Sequence, residues 1–312
     1  MPSGDFPGRR EGLPLPFERS VTDFLQTFRG VWAGVVEGQV ILGVLMAVPV
    51  PMTRFLDAAM PRLLADARLL GVAAGGSFIS GQLDEYSDID LVLVYREDAC
   101  PAASERMEIA RGLGALLVAF TGEHVGEPRL LICLYGPPLL HVDLKFVALK
   151  EFGARVEDPK ILWERDGKLA EVLRATPAHW PEPDPQWLED RFWVWIHYAA
   201  TKLGRGELFD VLDMLGFLLA VVLGPLAMQE QGRRPQGTRR LEMQATHWVP
   251  ALKETVATHD ARSCATGLRA AVRLYRELRE RVAPTNLERL KEAEAEAVRY
   301  LDAVISSLTP HP

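Results

Sequence analysis

Two short stretches of this chain carry residue types that could handle a phosphate and a divalent cation together. The first is Gly75-Gly76-Ser77, where the apolar run Leu70 to Ala74 stops at a pair of glycines. Glycines let a backbone approach a ligand closely, and the N–H groups of such a turn can face an anion. The second is Ser87-Asp88-Ile89-Asp90, which opens the β-branched, apolar run Ile89 to Tyr95. Side chains alternate along a strand, so Asp88 and Asp90 fall on one face and Ile89 and Leu91 on the other. Two carboxylates on one face repel each other unless a positive charge lies between them. Mg²⁺ suits that place, because it is commonly held by one or two carboxylates plus substrate phosphates. Each half on its own reads as an ordinary turn or as solvated strand-end aspartates. The informative feature is both halves at this spacing. Further on, His141, Asp143 and Lys145 alternate with Val142, Leu144 and Phe146, which puts the polar three on a shared face.

The elements that must position these residues follow from periodicity. Met52 to Leu69 has helical apolar spacing, with Pro61 as a site to kink or restart it. Leu70 to Ala74 and Ile89 to Tyr95 read as strands flanking the Gly-Ser turn. Ser104 to Phe120 reads as a helix capped by Ser104, with Met107, Ile109, Ala110, Leu113, Leu116 and Leu117 on its apolar face. Arg129 to Tyr135 and Leu139 to Ala148 read as strands around Gly136-Pro137-Pro138. Ile161 to Leu169 reads as a short strand, an Asp-Gly turn and a helix start. From Gln186 onward the pattern is helical, with a break at Gly204-Arg205-Gly206. Glu207 to Ala227 starts a further helix whose apolar half, kinked by Pro225, reads as bundle core rather than as a membrane span. Arg233 to Arg240 reads as a solvated basic loop. Ala261 to Val282 and Asn286 to Leu308 read as closing helices, the second capped by Thr285 or Asn286.

Bulk properties set the frame. A chain of 312 residues with 48% hydrophobic and 25% charged residues suits a soluble globular protein of two domains. A net charge of −7 argues against a long nucleic-acid partner. Cys100, Cys133 and Cys264 form no metal or redox motif, which fits a reducing, cytoplasmic setting. The expected organisation is a flexible arm over 1–17, an α+β domain over 18–175, a Pro-rich linker over 176–185 and a helical bundle over 186–312. The arm lacks the apolar core of a secretory signal. Val31 to Pro51, interrupted by Glu37, Gln39, Pro49 and Pro51, reads as buried strand or hairpin material.

The spacing from Gly76-Ser77 to Asp88-Ile89-Asp90 resembles the signature of the DNA polymerase beta-like nucleotidyltransferase superfamily. An α/β domain followed by helices narrows the resemblance to the antibiotic nucleotidyltransferases of the lincosamide and streptomycin type. It covers roughly residues 50 to 300 and rests mainly on the signature. The segment Trp163 to Gly167 and the stretch Tyr198 to Leu208, with Lys202 and then Arg205-Gly206-Glu207, add weaker matches. Gln82 departs from the small or basic residue that many members carry there.

That resemblance implies a mixed sheet with flanking helices and a set of roles. Asp88, Asp90 and Asp143 would hold Mg²⁺, two ions in all. Gly75, Gly76, Ser77, Ser87 and Lys202 would bind the nucleotide. Asp143 or Glu207 would be the base, and Glu207 or Asp210 would face the acceptor. His141 is a further candidate base, weighed against an ordinary structural histidine. The implied reaction moves a nucleoside monophosphate, AMP from ATP, onto a hydroxyl of a small molecule such as an antibiotic. The alternatives are a protein- or RNA-modifying enzyme of the toxin–antitoxin type and a catalytically silent nucleotide-binding module. The implied partners are a nucleoside triphosphate and a small acceptor, with a homodimer admitted and no membrane.

Overall fold

The computed structural model describes residues 48–81 and 83–308. The expected arm over 1–17, the apolar segment up to residue 47 and the departure at Gln82 lie outside the described residues. The chain divides into two compact units between Trp180 and Pro181.

The first unit is built on a six-stranded mixed sheet, order β3-β4-β5-β2-β1-β6. Its strands are β1 (Leu69–Ala74), β2 (Ile89–Tyr95), β3 (Leu116–Gly122), β4 (Glu127–Tyr135), β5 (Leu140–Ala148) and β6 (Lys160–Glu164). Only the β2–β5 pair is parallel; the other neighbours run antiparallel. Every residue of β2 is buried, as expected for a central strand covered on both faces. Its helices are α1 (Val50–Leu64), α2 (Ser77–Ser80), α3 (Ala103–Leu113), α4 (Leu149–Phe152) and α5 (Lys168–Ala175), of which α1 and α3 cover one face. There the Phe55 ring meets Tyr135 at 4.8 Å, and the Tyr135 hydroxyl donates to the Ala110 carbonyl at 2.7 Å. Register puts Gly71, paired with Val94, on the other face. Helix α5 (Lys168–Ala175) packs there, and a Cβ on Gly71 would lie 2.4 Å from a Leu169 methyl. Glycine at that position is therefore a condition of close helix-to-sheet packing.

Several local expectations change. Val50 and Pro51 are not strand material: they open α1, where a proline costs nothing because the first helical N–H groups have no partner. Pro61 lies within α1, which neither breaks nor restarts there. The helix expected over Ser104 to Phe120 ends at Leu113, and Leu116 to Gly122 is the edge strand β3. Leu113, Leu116 and Leu117 sit at helical spacing, but Gly114 separates them, and the second half gains ladder bonds to β4 instead. Ser104 is not the cap; Glu105 reaches back to accept from the Ala102 N–H at 3.1 Å.

The second unit is helical: α6 (Pro185–Gly204), α7 (Leu208–Leu218), α8 (Gly224–Glu230), α9 (Leu241–Gln244), α10 (Val249–Lys253), α11 (Ala261–Val282) and α12 (Lys291–Ser307). Asp184 caps α6 by accepting from the N–H groups of Gln186 and Trp187, and Pro185 takes the first helical position. Between α7 and α8, Leu219–Leu223 is wound as a π-helix. Pro225 has no N–H to donate, and a wider turn accommodates that gap. The run Leu208–Glu230 is long and apolar enough to cross a membrane by length and composition, yet 56% of its apolar window is buried. Val211, Leu215, Leu218, Val222 and Leu223 belong to the helical core. α12 starts at Lys291 rather than near Asn286, because the Leu290 N–H donates to a carboxylate inside the bundle. That carboxylate is Glu189, fully buried, which accepts from Arg279, Tyr275 and Trp193 as well.

Candidate active site

Strand direction gathers the predicted groups at one end of the sheet. β1 runs antiparallel to β2, with Ala74 opposite Leu91, so the Gly75–Ser77 turn leaves β1 beside the start of β2. β5 runs parallel to β2, and its register sets Asp143 directly against Asp90. Residues paired in register share a face, so these two carboxylates sit abreast on strands about 4.8 Å apart. Both are 2% exposed. Just before β2 stands Asp88, half-buried, and two residues upstream of Asp143 on β5 stands His141, exposed.

The turn itself is held firmly. Gly76 has φ 56°, in the region that favours glycine, and Gly81 closes the one-turn helix α2 (Ser77–Ser80) in the left-handed conformation. The Phe78 N–H donates to the Gly75 carbonyl at 2.9 Å and the Ile79 N–H to the Gly76 carbonyl at 3.1 Å. Those two amides are committed to the turn, while the Phe78 ring is buried in the sheet's core. Ser77 is buried at the same place. Ser87, expected at the nucleotide, is engaged locally: its hydroxyl donates to Asp84 at 2.8 Å and accepts the Asp84 N–H at 3.1 Å.

His141 lies 2.9 Å, through Nε2, from Oδ1 of Asp143. With its proton on Nε2, the imidazole donates to that oxygen. The hydrogen bond to Asp143 holds the His141 pKa above its ordinary value; burial opposes it, and the Asp143 and Asp88 charges add to the rise. Asp88, His141 and Asp143 thus act on one another in a single electrostatic neighbourhood.

The expectation of a three-aspartate cage changes at this point. Among the described residues, no group of three or more His, Cys, Asp or Glu side chains is arranged to hold a metal ion. One oxygen of Asp143 is occupied by His141 instead. The oxygen-only donor set still fits a hard cation bound openly, by one or two carboxylates plus substrate oxygens, as Mg²⁺ commonly is.

Lys202 and Glu207 are brought together, in the helical unit. The Lys202 ammonium lies 2.5 Å from Glu207 and 3.7 Å from Asp210, and over the Tyr198 ring. The Glu207 contact raises the Lys202 pKa, and the Lys202 contact lowers that of Glu207. Also in this unit, a groove of about 570 Å³ lies along α11 and α12. Its arginines are already paired, Arg269 with Asp302, Arg273 with Glu254 and Arg276 with Glu294.

Sequence reasoning missed Lys160. It opens β6 opposite Ala74, at the same end of the sheet as the turn, and is 7% exposed. Burial pushes its pKa down to about 8. Register puts it with Ala74 and Leu91, on the opposite face from Asp90 and Asp143. A lysine heading an apolar run was the available signal.

No protein-family model matches this chain, and no curated protein matches it. Solved structures similar to it include the following two. An aminoglycoside 6-adenyltransferase from Bacillus subtilis aligns over 81% of this chain and 98% of its own, at 14% identity and a TM-score of 0.35. A nucleotidyltransferase-like protein from Exiguobacterium sibiricum 255-15 aligns over 82% and 91%, at 14% identity and a TM-score of 0.36. At this level of likeness, the chemistry has to be argued from the residues.

Proposed function

We propose that this chain is a Mg²⁺-dependent nucleotidyltransferase that moves a nucleoside monophosphate, AMP from ATP, onto a hydroxyl of a small molecule. The observation that carries this reading is the in-register pairing of buried Asp90 with Asp143, where the Gly75–Ser77 turn leaves β1. Two carboxylates buried abreast are costly unless hydrogen-bond donors, a proton or a cation offset their charge, and a metal-bound triphosphate would supply the last.

In this reading, Gly75, Gly76 and Ser77 hold the triphosphate, and Asp88 and Asp90 would hold the ion together with the oxygen of Asp143 that His141 leaves open. Bound Mg²⁺ would neutralise the triphosphate and the charge that develops on the leaving pyrophosphate. The acceptor oxygen forms a bond to the α-phosphorus as the bridging P–O bond breaks, and pyrophosphate leaves with the electron pair. Asp143 takes the hydroxyl proton. The protein's share is mainly positioning and charge neutralisation. The charge of Lys202 is already taken up by Glu207 and Asp210, so the triphosphate is left to the turn and the ion. Three free cysteines suit a reducing, cytoplasmic setting. A hydroxyl-bearing antibiotic is the acceptor class we favour.

The test uses α-labelled ATP, Mg²⁺ and purified protein with lincosamides, aminoglycosides and a metabolite extract, with Asp90→Asn alongside. Label on one small molecule, with wild-type protein only, is the expected result. Label on protein or RNA overturns the small-acceptor assignment. A folded Asp90→Asn variant that transfers at the wild-type rate overturns the whole reading.

A further inference from the structure

His141 was weighed from sequence as a base, yet its geometry gives it different work. Its imidazole is not aimed at an empty space but is spent on Asp143, through the 2.9 Å contact from Nε2 to Oδ1. The two residues sit two apart on β5, the spacing that sets side chains on one face, so the contact is built into the strand. Asp143 is buried and His141 stands at the rim, 47% exposed, so the imidazole covers the carboxylate from the solvent side. A buried carboxylate with no fixed donor can rotate about its last torsion, which is broad. One hydrogen bond to a defined oxygen removes that freedom. Partners of this kind, one shell outside a metal site, typically tune affinity or activity by about 10–100-fold.

We propose that His141 is a positioning residue: by donating to Oδ1 it fixes the orientation of Asp143 beside Asp90 and so sets how tightly this end of the sheet binds a divalent cation. The inference rests on the nucleotidyltransferase reading above. It does not require His141 to change protonation or to touch substrate. It predicts that a side chain able to donate one hydrogen bond from the same place, such as a glutamine amide, can substitute for the imidazole, whereas a catalytic base could not be replaced so.

The experiment measures Mn²⁺ binding to the full chain by electron paramagnetic resonance without nucleotide, using wild type, His141→Ala, His141→Gln and Asp90→Asn. Thermal unfolding of each variant confirms the fold. The expected result is binding weakened about 10-fold in His141→Ala and restored to within about 3-fold in His141→Gln. The Mg²⁺ concentration for half-maximal pyrophosphate release should rise in parallel in His141→Ala, with the KM for ATP unchanged at saturating metal. Wild-type affinity in His141→Ala, with Asp90→Asn impaired, overturns the inference and leaves the nucleotidyltransferase reading standing. Equal loss in the alanine and glutamine variants also overturns it. Absence of Mn²⁺ binding to wild type, with no effect of Asp90→Asn, overturns both.

Discussion

Removing the Glu189 carboxylate should cost the helical unit more than any surface change could. Glu189 is fully buried on α6 and accepts four donors. Arg279 on α11 donates to both oxygens at 2.9 and 3.0 Å, and the Tyr275 hydroxyl donates at 2.8 Å. Trp193 Nε1 lies at 3.2 Å and the Leu290 N–H, at the head of α12, at 3.1 Å. Breaking a buried pair from one side typically costs about 3–5 kcal/mol, because the surviving charge is left without compensation. Arg279 keeps Glu294 at 2.9 Å, which argues for the low end of that range, while stranding the Tyr275 hydroxyl adds to the cost. Glu189→Gln should therefore lose about 3 kcal/mol, a large share of a typical total of about 5–15. The pH dependence has a definite sign. Burial raises the Glu189 pKa, but hydrogen bonds from Arg279, Tyr275, Trp193 and Leu290 outweigh it and leave it below the ordinary value. A carboxylate depressed in the folded state contributes stability above its unfolded pKa, and that stability is lost as pH falls through the folded value. Wild type should thus lose its advantage over Glu189→Gln progressively below about pH 4.3, the ordinary glutamate value. Urea unfolding followed by tryptophan fluorescence reads this, since Trp193 sits in the network. A loss under about 1 kcal/mol at pH 7, the scale of an exposed ion pair, would refute the reasoning.

The other expectations are more local. Asp90→Asn should lower nucleotidyl transfer by about 10²–10³-fold or more while the circular dichroism spectrum and unfolding midpoint stay near wild type; retained transfer would contradict the site. Lys160→Met should be more favourable relative to wild type at pH 7 than at about pH 10.5, because burial disfavours the ammonium in the folded state. The folded pKa is about 8 against an ordinary 10.5, so the penalty is full below pH 8 and relieved as pH rises toward 10.5. A difference between wild type and Lys160→Met that stays constant over that range in urea titrations would count against the burial. Gly71→Ala should cost about 1–3 kcal/mol, since its Cβ would meet Leu169 at 2.4 Å. Leu169→Ala in the same chain should recover part of that loss, and strict additivity in the double-mutant cycle would dispose of the contact.

How much of this could be read from the chain depended on the range of the interaction. The turn at Gly75–Ser77, the aspartates at the head of β2 and the shared face of His141 and Asp143 are consequences of local alternation, and they were readable as such. The end of α3 was not. Leu113, Leu116 and Leu117 keep a helical spacing across Gly114, and only pairing with β4, which local pattern does not encode, converts the second half to an edge strand. Glu189 gave no signal either, since a glutamate among the aromatic residues of α6 reads as a solvated position until Arg279 arrives from α11. The start of α12 follows from the same contact: Leu290, not a nearby Thr or Asn, is fixed by what its N–H finds in the bundle.

The pairing of Asp90 with Asp143 lies between these cases. Alternation says that each aspartate shares a face with its own strand's polar neighbours, but not which residue stands opposite. That choice is made on the other face of the sheet. Ile89, Leu91 and Leu93 of β2 stand against Val142, Leu144 and Phe146 of β5, all essentially sealed from solvent. A slip of one residue would turn the whole β5 set toward the opposite face and expose it to the wrong layer, while carrying Asp143 into the apolar core beneath α1 and α3. Moving His141, Asp143 and Lys145 together into that apolar layer, added to the loss of three large apolar contacts, disfavours the slipped register. The carboxylates therefore meet because the apolar residues between them have only one way to pack.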